Sequence, residues 1–267
     1  MLTIGSLFAG IGGLELGLEW AGVGETRWQV EIDPYCRRVL ERHWPQAERF
    51  EDVTAFGGRP ADLICGGFPC QDLSVAGKQK GIDHGERSGL WREFERVVGA
   101  VRPGWVVVEN VAHTWRKWVP RVRSDLHRLG YASVPLRVRA SDVGAWHERS
   151  RVFVVADAHG ILLREQQGRR GGGAPWGGAL ELAVARAKGA DTDPHSTRRH
   201  EGGGGVTVSR GRPQPQHGDR WWASEPDVAR VVHGLPGRVD RAAALGNAVV
   251  PQAAMAVGHF IQSMRED

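Results

Sequence analysis

Short apolar runs alternate with amphipathic segments over the first 157 residues. Residues 3–8, 26–31, 62–65, 105–109, 133–138 and 151–156 have the pattern of strands. Residues 14–21, 35–43, 90–101 and 118–129 have the spacing of helices with one apolar face. Strands that alternate with helices favour a doubly wound parallel sheet, which binds ligands at the carboxyl ends of its strands.

The segment 159–214 differs from its surroundings in composition. It holds 13 of the 37 glycines. Its nine Lys and Arg residues outnumber its five Asp and Glu residues by four, so its net charge equals the +4 formal charge of the whole chain. Its glycine runs at 171–173 and 202–205 predict flexible loops. Helical patterns return at 225–233 and 248–264. We therefore divide the chain into an α/β domain (1–157), a loop-rich region (158–235) and a C-terminal segment (236–267).

Composition narrows the class of protein. Hydrophobic residues make up 41% of the 267 positions, which allows a sizeable core, and no apolar run is expected to cross a bilayer. The first residues indicate a buried strand rather than a secretion signal, so a cytoplasmic location is expected. The three cysteines (Cys36, Cys65 and Cys70) form no CxxC pair, and we expect neither a disulfide framework nor a metal site.

The first candidate for ligand binding is the glycine-rich turn Phe-Ala-Gly-Ile-Gly-Gly at residues 8–13. A strand that enters such a turn and then a helix exposes backbone N–H groups to a ligand. Glu31 ends the next apolar run and could accept hydrogen bonds from ribose hydroxyls, and Asp52 could accept one from an adenine amino group. Each feature alone is also typical of an ordinary turn. Their order and spacing favour a nucleoside-containing cofactor.

A candidate nucleophile follows the apolar run at 62–65. Gly66 and Gly67 end that strand, so Cys70 lies beyond its carboxyl end in a Pro-Cys-Gln turn. A thiolate is a strong nucleophile when it is exposed and its pKa is lowered. Most cysteines are instead buried for packing, but this turn does not favour burial. The polar stretch at 72–88 could act as a mobile lid.

An acid and two arginines complete the candidate chemistry. Glu109 ends a buried strand, where partial desolvation raises the pKa of a carboxyl group and favours proton donation. An ordinary strand-end acid paired with an arginine is the alternative. Arg149 and Arg151 alternate along extended chain, so they can share one face.

These motifs resemble those of the cytosine-C5 DNA methyltransferases and occur in the same order. The resemblance covers nearly all of residues 1–157 and about 225–262. It is carried by the glycine turn, Pro-Cys-Gln at 69–71, Glu-Asn-Val at 109–111, Arg-Ser-Arg at 149–151 and Gly-Asn-Ala-Val-Val-Pro at 246–251. Residues 77–81 also resemble the catalytic loop of that family. The resemblance implies a Rossmann-like doubly wound methyltransferase sheet with a small, loop-rich target-recognition region.

The resemblance implies a reaction on a cytosine flipped out of the duplex. Cys70 would attack C6, Glu109 would bind N3 and the exocyclic amine, and Arg149 and Arg151 would hold the base or stabilise negative charge. C5 would take a methyl group from S-adenosylmethionine. By the same resemblance, the residues around this cofactor are Phe8, Gly10, Ile11, Gly13, Glu31, Ile32, Asp52, Val53, Pro69, Asn247 and Val249.

Two positions depart from the pattern of the family. Ser6 stands where many relatives carry an acid, which would weaken a contact to the methionine end of the cofactor. His147 stands where glutamine is common, and a histidine can still donate or accept a hydrogen bond.

The same resemblance assigns sequence recognition to residues 158–235. The basic, glycine-rich composition of this region suits contacts to phosphates and bases in a DNA groove. Its candidate contacts are Arg169, Arg170, Arg198, Arg199, Arg210 and Arg212. A solvated, partly disordered insert is the alternative. The expected partner is double-stranded DNA, bound by a monomer in a restriction-modification or phage setting.

Two other functions compete with this hypothesis. One branch of the family acts on RNA, so a tRNA cytosine-C5 methyltransferase would show nearly the same motifs. A catalytically idle DNA-binding protein could keep the fold. The presence of Cys70, Glu109 and Arg151 argues against an idle protein, because binding alone needs no exposed thiol.

Overall fold

A computed structural model describes residues 1–69, 89–145, 147–168, 177–189 and 238–266. Its strands form a seven-stranded sheet: β1 (Leu2–Leu7), β2 (Gly24–Val30), β3 (Glu48–Phe50), β4 (Leu63–Gly66), β5 (Trp105–Val111), β6 (Ala132–Arg139) and β7 (Ser150–Asp157). Its helices are α1 (Gly13–Trp20), α2 (Pro34–His43), α3 (Leu90–Val101), α4 (Trp115–Arg128), α5 (Ile161–Gly168), α6 (Gly177–Gly189), α7 (Arg238–Asn247) and α8 (Pro251–Glu266).

The chain divides into two compact units. The first consists of Met1–Ala190 and Ala244–Asp267, and it contains the whole sheet. The second is Asp191–Ala243, of which only residues 238–243, the start of α7, are described. The predicted helix at 225–233 lies outside the described residues.

The strand order is β3-β2-β1-β4-β5-β7-β6. The first five strands in this order are parallel, as the sequence predicted. β7 is antiparallel to both β5 and β6. Antiparallel neighbours can be joined by a short connection, and only residues 140–149 separate β6 from β7. As a result, the amino end of β7 lies beside the carboxyl end of β5.

Burial explains the sequence patterns of the strands. β5 is covered on both faces, and six of its seven residues are buried, which suits its continuous apolar run. β6 is an edge strand, and its buried residues alternate with more exposed ones. Pro135 is tolerated in β6 because one side of an edge strand forms no ladder.

Helices cover both faces of the sheet. On one face, α1 and α8 pack with Leu14, Leu18 and Phe260, and α6 adds Ala183 and Ala187. On the other face, α3 and α4 contribute the buried side chains Trp91, Phe94, Val97, Val98, Trp118, Val119, Val122 and Leu126. This three-layer arrangement confirms the predicted doubly wound fold class.

Some elements differ from the sequence predictions. β1 ends at Leu7, because Phe8 has a φ of 56° and leaves the extended conformation. The short strand β3 and the helices α5, α6 and α7 were not predicted. α8 begins at Pro251 rather than at residue 248, since proline suits the first helical position.

One described segment, Ala243–Arg265, is long and apolar enough by length and composition to cross a membrane. The sequence analysis predicted no such segment. In the fold, residues 253–257 of this segment are buried, together with Phe260, Ile261 and Met264. These side chains pack in the same core as α1, as those of a core helix do.

Glycines allow α1 and α8 to approach closely. A Cβ atom on Gly17 would lie 2.5 Å from Ala254 Cβ and 2.7 Å from the backbone nitrogen of Met255, and nearer still to the Pro251 carbonyl. A Cβ on Gly258 would lie 2.5 Å from Ala21 Cβ. The two helices therefore pack backbone against backbone.

We predict that Gly17→Ala lowers the free energy of unfolding by about 1–3 kcal/mol, because the added methyl group overpacks the contact with α8. The matched control is Gly99→Ala in α3, where a Cβ meets only Leu129 Cδ2 at 3.6 Å. That variant should gain about 0.5–1 kcal/mol from helix propensity. Urea unfolding of both variants checks the prediction, and a Gly17→Ala protein as stable as the control would contradict it.

Candidate active site

A buried ion pair lies at the carboxyl end of β5. Glu109 Oε1 is 2.6 Å from Arg151 Nε, and both side chains are largely buried. β7 brings Arg151 here because Val111 pairs with Arg151 across the antiparallel ladder. Burial raises the pKa of Glu109 to about 7, although the charges of Arg151 and Arg149 oppose the shift. A carboxyl group with such a pKa can hold a proton near neutral pH.

Arg149 lies beside this pair. Burial and the charge of Arg151 lower its pKa, and Glu109 acts in the opposite direction. Its Nε and one terminal nitrogen are buried without a hydrogen-bond partner among the described residues. The backbone N–H of Arg149 donates to His147 Nδ1 at 3.3 Å. Two guanidinium groups therefore face one carboxyl group, which leaves donors for a further acceptor.

The segment that leads to residue 70 is anchored next to Glu109. Asn110 Nδ2 donates to the carbonyl of Phe68 at 3.0 Å. A Cβ on Gly67 would overlap the Oε2 atom of Glu109, so only glycine allows this approach. Pro69 is the last described residue before the gap. Cys70 and the predicted lid at 72–88 lie outside the described residues.

Aromatic rings link this segment to the glycine turn. Phe68 packs against Trp91 with ring centroids 5.6 Å apart, and Trp91 stacks on Phe94 at 5.4 Å. Phe94 in turn stacks on Phe8 at 6.5 Å. The indole N–H of Trp91 donates to the buried Asp125 at 2.8 Å. The two turns are thus connected by continuous packing rather than by backbone alone.

Glu31 closes the glycine turn from the neighbouring strand. Its Oε2 accepts the N–H of Gly10 at 2.7 Å, and its Oε1 accepts the N–H of Asp33 at 2.8 Å. Asp33 then caps α2 by accepting from the N–H groups of Tyr35 and Cys36. Each carboxylate oxygen keeps a further lone pair for a ligand hydroxyl.

The space around the turn suits a nucleoside. A Cβ on Gly10 would meet nothing within 4 Å, so the site is open in front of the turn. Ile32 is 71% exposed, which is unusual for a large apolar side chain and offers a flat surface for a base. Asp52 is exposed, its Oδ1 accepts the N–H of Thr54 at 2.8 Å, and this bond lowers its pKa. Val53 beside it is buried.

The C-terminal motif meets the glycine turn. The carbonyl of Val249 lies against Gly13, where a Cβ would collide with it. Ile11 and Val249 are partly buried, and Asn247 is exposed at the end of α7. The structure therefore brings Phe8, Gly10, Ile11, Gly13, Glu31 and Val249 together at one edge of the sheet.

Sequence reasoning missed a buried polar row beneath the turn. Ser6 pairs in register with Gln29 on β2 and with Cys65 on β4, and all three side chains are fully buried. They face α1, where Glu15 is also fully buried. Burial raises the pKa of Glu15 to about 7, although hydrogen bonds with the side chains of Ser6 and Gln29 act to lower it. Ser6 thus lies beside Glu15, not in the open space before Gly10.

The arginines at 169, 170, 198, 199, 210 and 212 lie outside the described residues. Among the described residues, no group of three or more His, Cys, Asp or Glu side chains could hold a metal ion. Cys36 and Cys65 are buried free thiols, and burial raises the pKa of both.

Comparisons with known proteins agree with this geometry. The family model described as C-5 cytosine-specific DNA methylase matches residues 2–167. Type II methyltransferase M2.BsuMI of Bacillus subtilis is 38% identical over 164 residues, which cover 58% of this chain and 42% of that protein. Type II methyltransferase M.HhaI of Haemophilus parahaemolyticus is 31% identical over 168 residues, covering 60% of this chain and 50% of that protein. The chain thus spans half or less of the length of these relatives.

Solved structures share the fold. A structure described as a DNA modification methyltransferase encoded within an E. coli prophage has a TM-score of 0.50 and 29% identity, covering 59% of this chain and 47% of that one. The Entamoeba histolytica methyltransferase EhMeth has a TM-score of 0.51 at 15% identity, covering 59% and 53%, and bears on the fold alone.

We predict that Glu15→Gln changes how stability depends on pH. The pKa of this carboxyl is raised from 4.5 to about 7 in the folded protein. Its contribution to stability is therefore full below pH 4.5 and is lost as the pH rises through about 7. The variant has no such loss. The difference in free energy of unfolding between the variant and wild type should therefore shift in favour of the variant by up to about 3 kcal/mol as the pH rises from 4 to 8.

Urea midpoints of both proteins across this pH range check the prediction. The shift of Glu109 is common to both proteins and cancels in the difference. Glu41→Gln, at an exposed position of α2, is the matched control. Parallel pH profiles for wild type and Glu15→Gln would contradict the burial of a protonated carboxyl.

Proposed function

The chain belongs to the C-5 cytosine-specific DNA methylase family, and on that premise we propose that it is a DNA (cytosine-5)-methyltransferase with Cys70 as nucleophile. The observation that carries the proposal is the buried Glu109, which is paired with Arg151 and whose pKa lies at about 7. A general acid works best when its pKa is near the working pH. Glu109 is therefore suited to donate a proton to the ring N3 of a cytosine.

Cys70 follows the anchored segment at Phe68 by two residues. In the proposed reaction its thiolate adds to C6 of a flipped cytosine while Glu109 binds N3 and the exocyclic amine. The electron pair of the C5–C6 double bond becomes available at C5, which would form a bond to the methyl group while the methyl–sulfonium bond breaks and leaves a neutral thioether. Loss of the proton from C5 to a base then expels the Cys70 thiolate and restores the double bond.

Arg149 and Arg151 have complementary parts in this scheme. Arg151 holds the Glu109 carboxyl in place through the 2.6 Å ion pair. Arg149 has buried nitrogen donors without partners among the described residues. We assign these donors to an oxygen of the bound base, where negative character develops during attack.

S-adenosylmethionine supplies a methyl group on a positively charged sulfonium. The open space before Gly10, the lone pairs of Glu31 and the exposed Ile32 fit its adenosine part. Phe8, Ile11, Gly13, Asp52, Val53, Pro69, Asn247 and Val249 are assigned to the same cofactor. These residues would hold the cofactor, and the bound cofactor would supply the methyl group that C5 of the base accepts.

The proposed substrate is double-stranded DNA, and the proposed setting is the cytoplasm of a bacterium or of a phage-infected cell. Named relatives of the chain are Type II methyltransferases. Residues 158–235, with the arginines of that region, are assigned to target recognition. A monomer contains every residue named in the proposed reaction.

We predict that Cys70→Ala abolishes methyl transfer and leaves cofactor affinity within about twofold of wild type, because the thiolate acts on the base. Nucleoside mass spectrometry of DNA from expressing cells should show 5-methylcytosine with wild type only. Cys36→Ala, which removes a buried thiol from α2, is the matched control and should retain activity. Equal 5-methylcytosine from Cys70→Ala would refute the mechanism, and modified tRNA with unmodified DNA would refute the substrate.

We predict that Glu109→Gln slows methyl transfer by about 10²–10⁴-fold, because an amide cannot donate a proton to N3. Calorimetry should show cofactor binding unchanged. The fall in wild-type kcat as the pH rises through about 7 should be absent from the variant. Glu148→Gln is the control, since Glu148 is exposed and its carboxylate accepts a hydrogen bond from Ser141 Oγ, away from Glu109. A rate within threefold of wild type would overturn the role of Glu109.

A further inference from the structure

Four exposed arginines on α4 and β6 form a feature that the proposed reaction does not use. We call them the arginine ridge: Arg116, Arg123, Arg137 and Arg139. Arg116 and Arg123 are seven residues apart on α4, which places them on one stripe of the helix. Arg137 and Arg139 alternate along β6 and share one face of the strand.

Hydrogen bonds place the two pairs on the same side of the sheet. Arg123 donates from Nε to Ser133 Oγ at 3.2 Å and from a terminal nitrogen to the Ser133 carbonyl at 3.1 Å. Ser133 shares its strand face with Arg137 and Arg139, since all three are odd-numbered residues of β6. Arg137 donates from Nε to Ser150 Oγ at 2.9 Å. The ridge therefore runs from α4 across the free edge of the sheet.

The ridge reaches the edge that carries the candidate active site. Arg139 pairs with Ser150 at the amino end of β7, and the next residue, Arg151, pairs with Val111 at the carboxyl end of β5. Arg137 and Arg139 are thus only two strands from Glu109. Arg149 and Arg151 point to the opposite face of the sheet, so the ridge flanks the site rather than lining it.

Few acids lie near the ridge, and those present have other partners. Asp142 accepts the backbone N–H of Arg139 at 2.9 Å, and Glu148 accepts from Ser141 at 3.2 Å. Asp125 is buried between Arg121 and Arg128. Within the described part of the chain, none of the four ridge arginines has an ion pair. Four like charges are thus held together without local neutralisation, which favours a polyanionic partner.

The spacing of the ridge matches a nucleic-acid backbone. Seven residues of helix separate Arg116 from Arg123 by about 10 Å, which is the rise of about three base pairs along the axis of a DNA duplex. Phosphate contacts fix orientation without reading sequence, and arginine can bind a phosphate through two N–H groups. The ridge lies outside residues 158–235, to which sequence recognition is assigned.

We propose that the arginine ridge binds backbone phosphates of double-stranded DNA beside the catalytic pocket and supplies affinity that does not depend on sequence. This inference rests on the proposed function for the identity of the polyanion. It differs from that function in its evidence and in its test, because binding to a backbone requires neither cytosine nor methyl transfer.

The test measures binding of the full chain to a duplex of A·T pairs by fluorescence anisotropy at several salt concentrations. The ridge variant is Arg116→Gln/Arg139→Gln, since neither side chain has an ion pair among the described residues. The matched control is Arg38→Gln/Arg42→Gln, which removes two exposed charges from α2 beside the opposite edge of the sheet.

The ridge variant should lower the slope of log affinity against log salt by about two, at about 0.9 per lost phosphate contact. Its affinity near 0.1 M salt should fall about tenfold or more, and the control variant should keep the wild-type slope. Both variants should bind the cofactor as wild type does. A ridge variant with the wild-type slope, or an equal fall in the control, would overturn the proposal.

Two outcomes separate this proposal from the proposed function. A lowered slope in an enzyme that makes no 5-methylcytosine would support the ridge and refute the activity. Binding of folded tRNA, with no binding of the duplex by wild type, would overturn double-stranded DNA as the occupant of the ridge.

Discussion

The burial of the Glu109 carboxyl group is the constraint on which this edge of the sheet depends. A buried carboxylate without a partner costs several kcal/mol, so a cation must approach it from a neighbouring strand. β7 meets this need because it runs antiparallel to β5 and places Arg151 beside the carboxyl. The same burial favours glycine at residue 67, since a Cβ at that position would lie too close to Glu109 Oε2. The direction of β7, the position of Arg151 and the glycine at residue 67 therefore all follow from the burial of the Glu109 carboxyl group.

The glycine turn and the segment that leads to Cys70 are packed as one rigid unit. Phe8 at the turn, Phe94 and Trp91 on α3, and Phe68 before Cys70 are in continuous ring contact. Interiors packed at such density transmit small displacements instead of absorbing them. A shift of the glycine turn would therefore reach the segment before Cys70. In the proposed reaction the methyl donor must keep a fixed distance from the base that Cys70 holds, and this packing would favour that distance.

The strongest patterns of the sequence were sufficient for much of the fold. The apolar run of β5 and the helix at 90–101 predicted elements that the structure contains, because continuous burial and regular spacing leave clear patterns. The direction of β7 could not be predicted, since parallel and antiparallel strands share the same alternation. Leu180, Ala183, Val184 and Ala187 have helical spacing in α6 and were obscured by the surrounding glycines. The contact of Ser6 with Glu15 could not be predicted, because only the fold brings β1 against α1.

The contact between α1 and α8 has a consequence for the time course of synthesis. Gly17 meets Ala254, and Gly13 meets Val249, across more than 230 residues of chain. Contacts this distant in sequence form late, after the intervening loops have closed. On the ribosome, the glycine turn would lack its contact with Val249 until α8 emerges from the exit tunnel. A nascent chain therefore completes the proposed cofactor site only after α8 has been synthesised.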